Sequence, residues 1–86
     1  MSKKRRCPVT ATNEPNLDAL RGATVSLRVA RGLSVDDLHT RSGIARSMLF
    51  RIENGSATGS LVTWFRIAQA LEVPLSDLVQ HLESPR

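Results

Sequence analysis

Three side chains in this sequence suit metal binding or acid–base chemistry by type, namely His39, His81 and Cys7. The two histidines lie far apart in sequence, and neither has a second ligand at the spacing of a metal site, so we interpret both as ordinary histidines. Cys7 has no neighbouring histidine, and we interpret it as incidental. The sequence also lacks a phosphate-cradling glycine loop and a paired nucleophile and base. We therefore expect no catalytic site, no metal and no cofactor.

The positive charge of the chain is concentrated at its start. The sequence carries 12 basic and eight acidic residues, a formal net charge of +4, and four of the basic residues are Lys3, Lys4, Arg5 and Arg6. The rest is balanced, so any binding to nucleic acid by the folded part must come from local placement of charge. We favour a DNA arm for residues 3–6 that reaches the minor groove or the backbone. A solubilising tail and an expression remnant remain open.

Length and composition favour one small helical domain. The chain has 86 residues, of which 41% are hydrophobic and only 3% aromatic, so its core must consist of Leu, Ile, Val and Ala. A single cysteine excludes an internal disulfide, which fits a reducing cytosol. No apolar run approaches the roughly 20 residues of a membrane helix, and none follows the basic start as in a secretory signal. We expect a cytoplasmic protein with no membrane partner.

Helical spacing of apolar residues predicts five helices and no strand. Residues 1–16, with two prolines and little apolar content, are predicted to be a flexible basic arm; residues 17–82 form the helical domain, and residues 83–86 a tail. Helices are expected from Leu17 to a stop at Gly32, near 35–42, near 46–54, along 61–71, and after Pro74. In the fourth pattern we interpret Trp64 and Phe65 as core residues rather than a nucleic-acid stacking platform.

The segment from Val35 to Asn54 is the most informative part of the chain. It reads as two short helices joined by a turn at Gly43, where glycine tolerates a positive φ. Helices joined this tightly cross at a steep angle, and the second can project into a DNA major groove. Ser34 with Asp37 resembles a capping box for the first helix. Apolar side chains needed between the two helices are supplied by Leu38, Ile44, Leu49 and Ile52.

Several short motifs resemble the XRE/Cro/phage-repressor helix-turn-helix family, over roughly residues 20–79. Each is weak alone, but their order and spacing together are specific. The resemblance implies an all-α, five-helix phage-repressor-like domain that binds operator DNA, usually as a homodimer. The motifs are Gly32-Leu-Ser34, Asp37-Leu38, Ser42-Gly-Ile44, Arg51-Ile-Glu-Asn-Gly55, Ile67-Ala-Gln-Ala-Leu71 and Val73-Pro-Leu-Ser-Asp-Leu78.

The resemblance also implies roles for particular residues. Base-contacting positions map to Arg46, Ser47 and Phe50, with Arg51 close by; an arginine can pair bidentately with guanine, and an aromatic ring can contact a thymine methyl. For Phe50, semi-buried packing or a protein interface remains equally open, and the two arginines could instead be solvated. Phosphate contacts are implied for Asn54 and for the amides around Gly55. For Arg41, a phosphate contact and a solvated surface position are equally compatible with the sequence. A structural, largely buried ion pair is implied between Arg28 and Glu53.

The sequence departs from the family pattern at five places. Val35 replaces a frequent glutamine, His39 replaces a small residue where the helices cross, and Thr24 replaces a core aliphatic. Ala45 lacks the hydroxyl that often caps the recognition helix, a loss of about 1 kcal/mol. The loop from Ser56 to Ser60 has no lysine or arginine. These changes leave the fold prediction intact but bear on affinity and base contacts.

We predict a sequence-specific transcriptional regulator, a repressor acting as a homodimer on a pseudo-palindromic operator. By family analogy the dimer would form through the last two helices. Apolar residues on faces that relatives keep polar would mark that surface or another partner's if they cluster: Val25, Val29, Val62 and Leu82. The alternative is a protein-binding adaptor or an antitoxin, with a toxin or effector as its partner. The neutral core, Phe50 and the cation-free loop favour that alternative.

Overall fold

The computed structural model describes residues 14–85, and within this range the chain is all helical, as predicted. Five α-helices are followed by a short 3₁₀ turn, and no strand occurs in the described range. The elements are α1 (Leu17–Ala30), α2 (Val35–Ser42), α3 (Arg46–Asn54), α4 (Leu61–Ala70), α5 (Leu75–Val79) and the 3₁₀ turn Gln80–Glu83.

Three helices begin at a side chain that accepts a hydrogen bond from the first turn, as helix N-caps do. Ser34 Oγ accepts from the N–H of Asp37 at 3.0 Å, and the Asp37 carboxylate accepts from the N–H of Ser34 at 2.9 Å. This confirms the predicted capping box. Ser60 caps α4 and Asn16 caps α1 in the same way, whereas α3 follows Ala45 without a side-chain cap. The start of α3 is therefore fixed by the preceding turn and by packing.

One apolar core joins all five helices. α1 packs against α3, α5 and the 3₁₀ turn, while α4 packs against α2 and α5. Thr24, where a core aliphatic was expected, is buried, and its hydroxyl donates to the Leu20 carbonyl at 2.9 Å, which satisfies the polar group inside its own helix. The most deeply buried apolar side chains are Leu20, Leu38, Leu49, Ile67, Leu71 and Leu78.

The prediction that Phe65 is a core residue is wrong. Its side chain is 48% exposed, and Leu61 is also exposed. Trp64 is buried, as predicted, and its indole N–H donates to the Thr58 carbonyl at 2.7 Å. The buried side chains of α4 are Trp64, Ile67, Ala68 and Ala70, and residues 61 and 65 lie beside them on an exposed flank. Leu61 and Phe65 are four positions apart, so they share one side of the helix, but this spacing does not decide whether that side is buried or exposed.

Asn16 joins the two ends of the described chain. Its backbone N–H donates to the Leu82 carbonyl at 2.8 Å, and its side-chain amide donates to the carbonyls of Ser84 at 3.2 Å and Pro85 at 3.3 Å. Asn16 was expected to lie in the arm and Ser84 in the tail. Here they contact each other, and Asn16 is buried.

Candidate nucleic-acid interface

α2 and α3 form a helix-turn-helix whose turn is held by local hydrogen bonds. Gly43 ends α2 in the left-handed region, at φ 75°, and its N–H donates to the His39 carbonyl at 2.9 Å. The Ile44 N–H donates to Ser42 Oγ at 3.1 Å. Ile44 and Leu49 are buried below the turn. These contacts set the angle at which α3 leaves the body of the protein.

His39 lies where α2 and α3 cross, and the neighbouring core residues Leu38 and Leu49 are still buried. Its ring is half-buried, and Nδ1 lies 2.6 Å from the carbonyl oxygen of Ile44. Because a carbonyl can only accept, Nδ1 must carry the proton and donate. The imidazole therefore reaches along the turn and adds a bond across it.

The exposed face of α3 collects the predicted base-contacting residues. Arg46, Ser47, Phe50 and Arg51 are all exposed, while Leu49 and Ile52 on the opposite face are buried. Positions i, i+1, i+4 and i+5 share one side of a helix. Phe50 is 51% exposed, so about half of its surface is open to solvent on this face. The result is a surface with two cations, a hydroxyl and an aromatic ring.

An ion pair that sequence analysis did not predict joins the starts of the two helices. The Nε group of Arg46, the first residue of α3, forms an ion pair with the carboxylate of Asp36 in the first turn of α2. Both side chains remain more than half exposed. The sequence indicates this pair only weakly, by placing acidic Asp36 and basic Arg46 in the first turns of successive helices. The pairing itself depends on the crossing angle, which spacing does not specify.

α3 is attached to α1 by the Arg28–Glu53 pair. Arg28 Nε donates to Glu53 Oε2 at 2.7 Å and Nη2 donates to Oε1 at 3.0 Å. Arg28 Nη1 also donates to the Leu33 carbonyl at 2.8 Å. Each side chain is only 14% exposed. The two parallel bonds fix α3 against the helix behind it.

The end of α3 differs from the arrangement that the resemblance implied for phosphate contacts. The N–H of Gly55 donates to the Ile52 carbonyl at 3.3 Å, and those of Ser56 and Ala57 donate to the Arg51 carbonyl at 2.8 and 3.1 Å. In the structure these three amides donate within the end of the helix. Asn54 Oδ1 accepts from the Ser56 N–H at 2.9 Å, so its donor is the side-chain NH₂ group.

Arg21 places a cation beside the loop that lacks one. A Cβ atom built on Gly55 would lie 3.3 Å from Arg21 Cζ, so the guanidinium lies directly against this glycine. Arg21 also forms an ion pair with Asp18 in the first turn of α1. Sequence analysis missed Arg21 because it lies more than 30 positions before the loop, with no motif around it.

Arg41 lies away from the exposed face of α3. Its Nη1 group is 3.5 Å from the Ala70 carbonyl at the end of α4 and 4.0 Å from Glu72 Oε2. A cation at a helix C-terminus interacts favourably with the helix dipole. The Arg41 side chain is 47% exposed. Its two contacts place it at the end of α4 rather than beside Arg46.

Other predicted features lie outside this surface or outside the described residues. Lys3, Lys4, Arg5, Arg6 and Cys7 precede residue 14, where the description begins. Among residues 14–85, no three His, Cys, Asp or Glu side chains are grouped as a metal site would need. None of the helices in the same range has the length and apolar character to cross a membrane.

Comparisons with known proteins agree with this geometry. The sequence model of a helix-turn-helix family matches residues 26–78, more than half of the chain. The crystal structure of the restriction-modification controller protein C.AhdI from Aeromonas hydrophila is similar, with 33% identity and a TM-score of 0.70 over 73% of this chain and 96% of that chain. A search of curated proteins found no match. The chain therefore belongs to the XRE-type helix-turn-helix family of DNA-binding transcription regulators.

Proposed function

We propose that the protein is a repressor that binds a pseudo-palindromic operator as a homodimer, with α3 in the major groove. The observation that carries this proposal is the surface formed by Arg46, Ser47, Phe50 and Arg51 on one exposed side of α3. None of these side chains is needed for the core. An arginine pair around a hydroxyl and an aromatic ring matches the donors and apolar groups that read base edges.

The rigidity of α3 supports the same role. Base reading requires that the helix keep its angle to the body, and two features hold it. The Arg28–Glu53 pair ties its last turn to α1, and the turn at Gly43 fixes its first turn to α2. Phosphate contacts are assigned to Arg21 and to the Asn54 side-chain amide, on either side of the loop after α3. Lys3, Lys4, Arg5 and Arg6 would add backbone or minor-groove contacts.

An apolar flank on α4 supports the homodimer. Leu61, Val62 and Phe65 are 70%, 61% and 48% exposed, and their spacing places them on adjoining parts of one helix surface. A cluster of large apolar side chains in water favours burial against a partner. A second copy of the chain would bury the flank on both protomers. Two recognition helices would then lie about 34 Å apart, one turn of DNA. The similar protein C.AhdI from Aeromonas hydrophila is a restriction-modification controller, and such control is one setting for a repressor of this kind.

The decisive experiment is selection of binding sites from random duplex DNA at two salt concentrations, followed by sequencing. We expect enrichment of a two-fold symmetric site, with affinity that falls steeply as salt rises because phosphate contacts release counterions. Arg46→Ala should remove the preference for one base pair in each half-site. Arg66→Ala, which removes an exposed arginine from α4, should leave every base preference unchanged. A promoter carrying the selected site should then be transcribed less in the presence of the protein.

Exposed Phe50 favours one other candidate, a protein-binding adaptor. An aromatic ring in the middle of an exposed helix face is a typical anchor for a protein interface. The selection separates the two candidates. If no duplex binds even at low salt, the operator proposal is wrong and the surface around Phe50 should be tested for a protein partner.

A further inference from the structure

The Asp36–Arg46 pair has no evident structural purpose. Its side chains are 66% and 57% exposed, and an exposed ion pair contributes little to the free energy of folding. The capping of α2 does not need Asp36, because Ser34 and Asp37 form the capping box. The core of the helix-turn-helix consists of other residues, namely Leu38, Ile44, Leu49 and Ile52. The pair nevertheless engages the first side chain of α3, which the proposed function assigns to base reading.

We propose that Asp36 is a positioning residue for base recognition, which orients Arg46 towards guanine and sets specificity more than affinity. The proposal rests on the proposed operator binding. Arg46 pairs with Asp36 through Nε, on one edge of the planar guanidinium. The N–H groups of Nη1 and Nη2 on the outer edge remain able to point away from the protein. Two parallel N–H groups on that edge match the O6 and N7 acceptors of guanine.

Holding one edge of the guanidinium lowers the conformational entropy that the Arg46 side chain loses when it binds DNA. A free arginine side chain has many rotamers, and it must lose that freedom when it makes two hydrogen bonds in a fixed plane. The carboxylate of Asp36 restricts the rotation of Arg46 before DNA arrives. A guanine contact then requires less ordering, while a contact that needs another orientation requires breaking the pair. The Asp36 carboxylate therefore favours one orientation of the Arg46 guanidinium, the one that suits guanine.

The charge of Asp36 acts in the same direction. A carboxylate near the DNA backbone is repelled by phosphates, and pairing with Arg46 offsets that repulsion. At a guanine, Arg46 can satisfy Asp36 and the base together. At a base pair that offers no double acceptor, Arg46 must choose between Asp36 and the phosphates, and the unpaired carboxylate raises the free energy of the complex. Asp36 thus disfavours incorrect sites more than the correct one.

The test compares Asp36→Ala with the unchanged protein in the site selection, using Asp77→Ala as the control that removes one exposed aspartate from α5. We expect the preference for guanine at the Arg46-dependent position to fall about fivefold to tenfold, within the range that one bidentate contact supplies. Binding to non-specific duplex should not weaken, since a negative charge is removed. The control should leave the guanine preference unchanged. Asp36→Asn, which keeps an acceptor, should lose less preference than Asp36→Ala.

Two further measurements make the test specific to positioning. In an Arg46→Ala background, Asp36→Ala should no longer change the base preference, because the two residues act through one contact. In the free protein, the Arg46 Nε–H resonance should exchange faster with water after Asp36→Ala. Thermal unfolding of each variant should match the unchanged protein, so that loss of folding is distinguished from loss of positioning.

The outcomes separate the two proposals. If the unchanged protein selects a guanine through Arg46 and Asp36→Ala keeps the same preference, this inference is overturned and the operator proposal stands. Tighter binding by Asp36→Ala with an unchanged preference would also overturn it, since Asp36 would then only compete with DNA. If the unchanged protein selects no site, the operator proposal fails and the inference fails with it.

Discussion

Arg28 and Glu53 form two parallel hydrogen bonds, Nε to Oε2 at 2.7 Å and Nη2 to Oε1 at 3.0 Å, and so join α1 to the last turn of α3. Their side chains are 14% exposed. A charge that loses its partner in such a place has neither water nor a counter-charge to stabilise it. The Arg28–Glu53 pair therefore stabilises the domain and also fixes the angle of α3 against α1.

We expect Glu53→Ala to lower the free energy of unfolding by about 3 kcal/mol, because Arg28 would be left buried without its partner. Urea unfolding followed by circular dichroism measures this change. Asp18→Ala is the matched control, since it breaks the exposed pair with Arg21 in α1 and should change stability by well under about 1 kcal/mol. Equal losses in the two variants would contradict a special role for the buried pair.

The capping box makes part of the stability dependent on pH. The backbone N–H of Ser34, and then its hydroxyl, hold the pKa of Asp37 below the ordinary value of 3.8. Because the folded-state pKa is lower than the unfolded-state one, this stabilisation is complete above about pH 3.8 and is lost as pH falls through the folded-state pKa. Asp37→Asn should therefore flatten the acid limb of the stability curve.

Denaturant unfolding across the acid range checks that prediction, with Asp77→Asn as the control. Asp77 lies in the first turn of α5, whose N-cap is Pro74, a residue with neither a hydroxyl nor an N–H to form the box. The control should keep the acid limb of the unchanged protein. An acid limb that Asp37→Asn leaves as steep as before would show that the loss of stability has another source.

Two glycines with nearly the same backbone angle should respond differently to alanine. Gly43 has φ 75° and open space around it, so Gly43→Ala should cost only the strain of the left-handed region, about 1 kcal/mol. At Gly59, φ 78°, a Cβ would lie 3.2 Å from Trp64 Nε1 and 3.3 Å from Ile52 Cδ1. The indole cannot easily move, because it is bonded to the Thr58 carbonyl. Gly59→Ala should cost about 1–2 kcal/mol more.

Thermal unfolding of both alanine variants under one set of conditions checks this difference. Similar losses at the two positions would mean that the backbone angle alone decides the cost and that the packing around Trp64 can adjust.

The proposed dimer predicts a concentration-dependent effect of Phe65→Glu. The homodimer contains Phe65 twice, so losing the burial of each phenylalanine, about 2 kcal/mol, costs about 4 kcal/mol in all and raises the dimer dissociation constant about a thousandfold. Analytical ultracentrifugation over a range of concentrations measures this shift. Val29→Glu is the control, because Val29 is exposed on α1 and lies outside the proposed surface. A larger effect of Val29→Glu would move the interface from α4 to α1.

The helices could be predicted from the sequence because their signals are local. Ser34 and Asp37 lie three positions apart, Gly43 marks the turn, and the spacing of Leu49 and Ile52 places both on the inner face of α3. Each signal depends on a few neighbouring residues and on helix geometry. The family resemblance added Arg28 and Glu53, which are 25 positions apart.

The contacts that could not be predicted depend on how the helices cross. Asp36 meets Arg46 because α2 and α3 meet at the start of each helix, and Arg21 meets Gly55 because α1 passes the end of α3. Apolar periodicity gives the face of a helix but not its rotation against a neighbour. For the same reason Phe65, one position from buried Trp64, was predicted to be in the core.

The bonds from Asn16 to residues 82, 84 and 85 have a consequence for synthesis on the ribosome. The two partners of the Asn16 side chain are 68 and 69 positions away. A nascent chain emerges in order, so α1 leaves the exit tunnel long before the carbonyls that Asn16 binds. Closing so long a loop comes late in folding. The domain should therefore complete its fold only after residues 82–85 have left the exit tunnel, and a chain truncated before residue 82 should have a first helix without this anchor.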